Sequence, residues 1–124
     1  MMARSKLNDL SVDHLIELFA EIGAAQSKAL DADDTAKYNR LFDKLMEVER
    51  ELRGRSGDQR KALMSLYCYP NMQVRLSAAK ATLAVAPQAA RQAIEAIAAS
   101  TWPPQCYDAR MCLWMIDEGK FVPE

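Results

Sequence analysis

Hydrophobic residues recur every three or four positions along most of this chain, a spacing that places apolar side chains on one face of an α-helix. The clearest such stripe lies in the second predicted helix, over residues 35–53, and consists of Tyr38, Leu41, Phe42, Leu45, Val48 and Leu52. Charged side chains fill the opposite face. We therefore expect the stripe to be buried, with Phe42 and Leu45 at its centre.

Start and stop signals divide the chain into six predicted helices. Ser11 has the position of an N-cap for the first helix, and Asp31 to Asp34 separate it from the second. The third is expected to start at Ser56, because Ser-Gly-Asp-Gln matches a capping box. Proline at a first helical position and glycine after a last turn mark other boundaries. The predicted helices cover residues 12–30, 35–53, 56 to about 67, 72–85, 88–99 and 105–118.

Connections of only a few residues join these helices, so neighbouring helices should run antiparallel. Strand signals are nearly absent. The sequence therefore predicts one all-α domain over residues 1–124. Within it we expect an N-terminal tail (1–10), a helical hairpin (11–54) and two further helix pairs (56–119).

The second half of the chain has features of an internal duplication. Pro70 and Pro104 each open a predicted helix and lie 34 residues apart, and Arg75 and Arg110 follow at a separation of 35. A helix-pair period of this length is typical of α-solenoid units. Residues 78–99 include 11 alanines among 22 positions, and small side chains allow helices to approach closely.

Two resemblances follow from these segments. The stretch YPNMQVRLSAAKATLAV resembles the second helix of a HEAT repeat, with a proline-bounded turn, Val-Arg, paired alanines and leucine. The second unit matches this pattern poorly after Arg110. The segments KYNRLFDKLMEVERELR, GDQRKALMSLYCYPNMQVRLSAAKATLAVAP and MCLWMIDEG resemble the DUF2019 family, a bacterial domain of unknown function. That resemblance implies a HEAT-like α-α superhelix of about six antiparallel-paired helices and no established activity.

Charge does not favour a nucleic-acid partner. The chain has 16 basic and 17 acidic residues, a net charge of −1. Residues 1–56 hold nine basic and eleven acidic side chains, and residues 57–124 hold seven and six, so the two parts carry −2 and +1. Five basic residues cluster between 50 and 61 with acidic residues among them, and we expect solvated surface there. They are Arg50, Arg53, Arg55, Arg60 and Lys61.

Cysteine usage and the N-terminal sequence favour a cytoplasmic protein without membrane spans. The three cysteines, Cys68, Cys106 and Cys112, are an odd number for a disulfide framework, and we expect them to be buried. The N-terminal segment lacks the apolar core of a signal peptide. His14 is the single histidine, so neither a zinc site nor acid-base catalysis is predicted. No phosphate-binding, dinucleotide-binding or nucleophile motif occurs, and we expect neither cofactor nor metal.

Aromatic residues and the repeated arginines form the candidate interaction surface. The last predicted helix contains six consecutive apolar residues, 111–116, although as a terminal helix it has few internal neighbours. A helix that is apolar all round is buried on several sides or pairs with another chain. For the two arginines, a role in packing between helix layers and a role in binding an acidic partner both stay open. The candidate residues are Tyr69, Arg75, Trp102, Tyr107, Arg110 and Trp114.

These observations predict a non-enzymatic protein–protein interaction module that presents a curved helical surface. A homodimer through the last helix is one expected form, and an immunity-type protein that occludes a toxin is another. The alternative is a HEAT-like nucleic-acid-binding protein or enzyme that resembles the alkyl-base DNA glycosylases. Such enzymes need a longer solenoid and a basic groove with aromatic residues and a carboxylate.

Overall fold

The computed structural model describes residues 7–124, and in this range the protein is helical without strands. From Val12 to Asp117, five α-helices and one 3-10 helix follow each other. They are α1 (Val12–Asp31), α2 (Thr35–Gly54), the 3-10 helix (Gln59–Leu66), α3 (Met72–Ala81), α4 (Pro87–Ala99) and α5 (Gln105–Asp117). The predicted all-α class is thereby confirmed.

The chain divides into two compact units, one up to Ala62 and one from Leu63 to Glu124. In unit 1, α1 and α2 pack against each other as a hairpin. The turn of three residues between them includes Asp33 at φ 55°, and Asp34 caps α2 by accepting from the Lys37 backbone N–H at 3.0 Å. Ser11 caps α1 as predicted. The buried side chains include Leu15, Phe19 and Ile22 of α1 and Leu45, Val48 and Leu52 of α2.

The apolar face of α2 is narrower than predicted. Leu45 is buried, but Phe42 is 45% exposed, so the expectation for Phe42 is wrong. Leu45, Val48 and Leu52 follow each other at intervals of three and four, which aligns them on one face. Phe42 lies beside that face, in the N-terminal half of α2, where most side chains are exposed.

The predicted capping box at Ser56 does not form. Gly57 and Asp58 both have positive φ, 79° and 51°, which no helical start allows. The Gln59 amide donates to the Ser56 carbonyl instead of reaching its N–H. The next segment is therefore a 3-10 helix that starts at Gln59.

Of the predicted tail over residues 1–10, residues 1–6 lie outside the described residues, as does most of the segment judged for a signal peptide. Leu7 is buried, and its carbonyl accepts a hydrogen bond of 2.9 Å from Arg55 Nη2. Arg55 also pairs with Glu51 at 2.9 Å. The end of the predicted tail is thus packed within unit 1.

Unit 2 is built on α4, which packs against both α3 and α5. Leu76, Ile94 and Ile97 lie in its hydrophobic core. The helix α3 ends at Ala81, four residues before the predicted end, and the hydroxyl of its C-cap residue Thr82 donates to the carbonyls of Ala78 and Ala79. Pro87 takes the first position of α4, as predicted.

Two polar contacts fix the interior of unit 2. The Tyr67 hydroxyl lies 2.6 Å from Thr82 Oγ1, and burial raises the pKa of Tyr67. The buried Gln105 amide donates to Gln73 Oε1 at 2.9 Å and so joins the start of α5 to α3. These bonds satisfy buried polar groups that would otherwise cost free energy. The Gln105–Gln73 bond fixes the start of α5 against α3.

Candidate interaction surface on the last helix

Helix α5 has apolar residues on two faces. Its inner face consists of Cys106, Ala109 and Cys112, which are buried, with Leu113 and Ile116 packed against the core. Its outer face carries Tyr107, Met111 and Trp114, which are 62%, 55% and 48% exposed. These three follow at intervals of four and three residues and so form one continuous row, which we call the aromatic row. On an ordinary surface helix, polar side chains would occupy these positions.

Two cations accompany the aromatic row. The Arg110 guanidinium lies 5.6 Å from the centre of the Tyr107 ring, and Lys120 Nζ lies 4.6 Å from that of Trp114. Both distances suit cation–π contacts. Arg110 Nε also donates to the Ala98 carbonyl at 3.1 Å, near the end of α4. That bond restricts the guanidinium to the outer surface beside Tyr107.

The turn after α5 brings Lys120 to this position. Gly119 has φ 70°, its N–H bonds the Ile116 carbonyl at 3.1 Å, and the Lys120 N–H bonds the Met115 carbonyl at 2.8 Å. This pair of bonds is a Schellman motif, and it ends the helix as the sequence predicted. The chain then continues through Phe121 and Val122, which are exposed. The apolar surface therefore extends past the end of the helix.

The charges near the aromatic row fall into two groups. Asp108 pairs with Lys80, and both carboxylate oxygens of Asp117 accept from Arg91 at 2.9 and 3.1 Å. The Arg91 hydrogen bonds lower the pKa of Asp117. Arg110, Glu118 and Lys120, in contrast, have no ion-pair partner in the described part of the chain. The carboxylates of Asp108 and Asp117 beside the row are thus neutralised by basic residues of the same chain. Within the described residues, the charges of Arg110, Glu118 and Lys120 are not.

Of the six candidate residues, the structure places three together on α5: Tyr107, Arg110 and Trp114. Trp102 is exposed in the connection before this helix, at 61%. Met111, as a member of the exposed row, and Lys120 were not among the residues that the sequence predicted for this surface. The intervals 107, 111 and 114 were a signal for Met111, because they place all three on one helical face.

Tyr69 and Arg75 lie elsewhere in unit 2. Both are half-buried, and Arg75 Nε donates to the Tyr69 carbonyl. Arg75 also lines an open groove of about 370 Å³ whose other residues include Tyr67, Met72 and Ala93. The repeated arginines therefore share one structural contact, from Nε to a backbone carbonyl of the segment that precedes their helix.

The prediction that the clustered basic residues between 50 and 61 are solvated is wrong for Arg60. Arg60 is buried, and its Nε and Nη2 donate to the two carboxylate oxygens of Asp58 at 2.9 and 2.7 Å. Arg55 is half-buried and bonded to Glu51 and Leu7, whereas Arg50, Arg53 and Lys61 are exposed. These bonds remove two of the five basic groups from any phosphate-binding surface.

The cysteine expectation holds for two of three residues. Cys106 and Cys112 are buried, and burial raises the pKa of the Cys112 thiol, but Cys68 is exposed in the turn after the 3-10 helix. Within residues 7–124, no three metal-ligating side chains come together, and no helix is long and apolar enough to cross a membrane. The aromatic row is thus the surface feature that calls for a functional explanation.

Comparison with known proteins places the chain in a family without assigning it a role. A crystal structure of the protein RPA1889 from Rhodopseudomonas palustris CGA009 is similar, with a TM-score of 0.93 and 50% sequence identity over 95% of this chain and 98% of that one. No curated protein matches the chain. Residues 13–117 match the family described as Domain of unknown function (DUF2019), and the chain belongs to that family.

Proposed function

We propose that the protein is a non-enzymatic protein–protein interaction module and that the aromatic row of α5 is its contact surface. The observation that carries this proposal is the exposure of Tyr107, Met111 and Trp114 in one continuous row. Tyrosine and tryptophan are enriched among the residues that dominate binding energy, and methionine adapts its shape to a partner. The row therefore has the composition of an interface centre.

The ends of repeat-like helical units support the same conclusion. A terminal helix normally needs a polar outer face to remain soluble. On α5 the exposed row of Tyr107, Met111 and Trp114 is apolar, although no further described helix follows it. Burying such a row against a partner removes apolar surface from water, which favours association. The contact with the Ala98 carbonyl holds Arg110 in place beforehand, so less side-chain entropy is lost on binding.

A HEAT-like arrangement of the helix pairs in unit 2 belongs to this proposal. Its support is the repeated contact of Arg75 and Arg110, each of which donates Nε to a carbonyl of the preceding segment. Recurrence of a contact at equivalent positions is expected where structural layers repeat. The cytoplasmic location, inferred from cysteine usage, is likewise a proposal, and immunity-type occlusion of a toxin is one form that the binding role takes.

Photo-cross-linking in living cells tests the binding role. A benzophenone amino acid replaces Met111, at the centre of the row, or Asn39, an exposed control position on α2. We expect a specific covalent adduct from position 111 and none from position 39. The adduct should disappear when Trp114→Glu is combined with the probe. Absence of any adduct at position 111, or equal adducts at both positions, would contradict the proposed function.

A further inference from the structure

The unpaired charges on α5 are arranged antisymmetrically about Trp114. Arg110 lies four residues before Trp114 and Glu118 four residues after it. At a rise of about 1.5 Å per residue, each charge is roughly 6 Å from Trp114 along the helix axis, on opposite sides. Intervals of four also keep all three residues on the same side of the helix. Glu118 caps the helix with near-helical angles, φ −85° and ψ 0°.

We propose that the partner of the aromatic row is a second copy of this chain, with the two α5 helices antiparallel and their Trp114 residues at the two-fold axis. This inference rests on the proposed function and names its partner. In such a pair, Arg110 of each copy faces Glu118 of the other, so two equivalent ion pairs form. A two-fold interface requires a surface complementary to itself, and this charge order provides one.

Only the antiparallel direction satisfies the charges. If the two helices were parallel and in register, Arg110 would face Arg110 of the second copy and Glu118 would face Glu118, and both contacts would be repulsive. The acidic residues beside the row offer no other solution, because Asp108 and Asp117 are already paired with Lys80 and Arg91.

The remaining groups on this face fit the same pairing. Met111 lies between Arg110 and Trp114 on the exposed side, where its flexible side chain can fill the space beside the indole rings. Tyr107 lies one helical turn beyond Met111, further from the two-fold axis, and extends the apolar contact along the helix. Lys120 stays over the Trp114 ring of its own chain, with Nζ 4.6 Å from the ring centre.

Charge reversal followed by mixing tests this geometry on the whole chain of 124 residues. We expect the unmodified protein to show concentration-dependent dimerisation in sedimentation velocity. Arg110→Glu and Glu118→Arg should each weaken dimerisation about tenfold or more, because like charges then face each other at both contacts. An equimolar mixture of the two variants should form a heterodimer, since one chain is then acidic at both positions and the other basic. The double variant Arg110→Glu/Glu118→Arg should dimerise again.

Controls separate this outcome from general effects of charge. Arg40→Glu and Glu21→Arg make the same changes in net charge at exposed positions of unit 1 and should leave dimerisation unchanged. Far-ultraviolet circular dichroism verifies that each variant is folded. The mixing step also separates charge repulsion from misfolding, because two misfolded variants would not form a dimer when they are mixed.

Two results would overturn the inference. One is an unmodified protein that stays monomeric at millimolar concentration. The other is a failure of both the mixture and the double variant to restore the dimer. If the cross-link from position 111 then reaches a different protein, the proposed function stands and self-pairing alone is refuted. If position 111 gives no adduct either, both are refuted.

Discussion

At the scale of single residues, Gln26 of α1 is the polar side chain whose environment is least favourable. It is wholly buried, and neither amide atom has a hydrogen-bond partner in the part of the chain described. Burying an unpaired amide costs free energy that an apolar side chain of similar size does not. We expect Gln26→Leu to raise the free energy of unfolding by about 1 kcal/mol, measured by urea denaturation. Gln92→Leu at an exposed position is the control, and a destabilised Gln26→Leu protein would contradict the prediction.

Leu45 and Phe42 of α2 differ in burial, and truncating each should therefore have a different effect on stability. Leu45→Ala should cost about 2–5 kcal/mol, because it removes a buried side chain and leaves a cavity. Phe42→Ala should cost less than about 1 kcal/mol, since its ring is half in solvent. Thermal denaturation of both variants measures the difference. Equal losses of stability would show that Phe42 also contributes to the core.

The bond between Asp58 and Arg60 predicts a dependence of stability on pH. Hydrogen bonding to Arg60 lowers the pKa of Asp58, so below about pH 4 the unfolded chain takes up this proton more readily than the folded one. The stability from this pair is therefore present above about pH 4 and is lost as pH falls through the folded-state pKa. Asp58→Asn should cost about 1–3 kcal/mol at neutral pH, because a buried guanidinium loses its charged partner.

The measurement is the free energy of unfolding between neutral and strongly acidic pH. Stability of the variant should fall less steeply with acid than that of the parent protein. Burial raises the pKa of nearby Glu49, and this opposite contribution is present in both proteins. A variant whose acid profile runs parallel to that of the parent would refute the role of Asp58.

At the scale of elements, the sequence predicted helices wherever capping and periodicity agreed. The bounds of α1, α4 and α5 match the predictions within a residue or two, because Ser11, Pro87 and Gly119 act locally. The start of the third helix was predicted wrongly, because the residues at 56–59 match a capping box whereas Gly57 and Asp58 have positive φ angles. The end of α3 was also predicted wrongly, because the stop signal in the sequence is Ala86-Pro87, whereas the helix ends at Ala81.

The two glycines that end helices provide a matched test. Gly119 has φ 70°, whereas Gly54 has no positive φ, and a Cβ would meet no atom within 4 Å at either position. Gly119→Ala should therefore cost about 1 kcal/mol through backbone strain alone, and Gly54→Ala should be neutral or slightly stabilising. Chemical denaturation compares the two. A neutral Gly119→Ala would mean that the turn after α5 contributes little to folding.

The part of the candidate surface that lies within one helix could be predicted from the sequence, because helical spacing decides which residues share a face. Tyr107, Arg110 and Trp114 were identified because an apolar terminal helix stands out in a sequence. Their separation from Tyr69 and Arg75 depends on how α3 and α5 pack in unit 2, which the repeat pattern does not define. The position of Lys120 depends on the turn geometry after Gly119.

At the scale of the whole molecule, charge balance predicts the absence of tight nucleic-acid binding. The net charge is −1, and two of the five clustered basic groups are bonded within unit 1. Affinity for nucleic acid depends on neutralising several phosphates, which makes binding strongly dependent on salt. We expect no complex at submicromolar concentration and physiological salt in a gel-shift assay with single- and double-stranded DNA. A tight complex that weakens steeply with added salt would contradict this and favour the glycosylase-like alternative.

The placement of the three thiols also allows the opening of α5 to be timed by cysteine labelling. Cys68 is exposed, whereas Cys106 and Cys112 belong to the inner face of α5. An alkylating reagent should modify Cys68 at once in the folded protein and reach the other two only when α5 separates from its neighbours. The fast thiol serves as an internal standard and the slow ones report local opening. Labelling at rising protein concentration would then show whether a second copy slows the opening of the helix it covers.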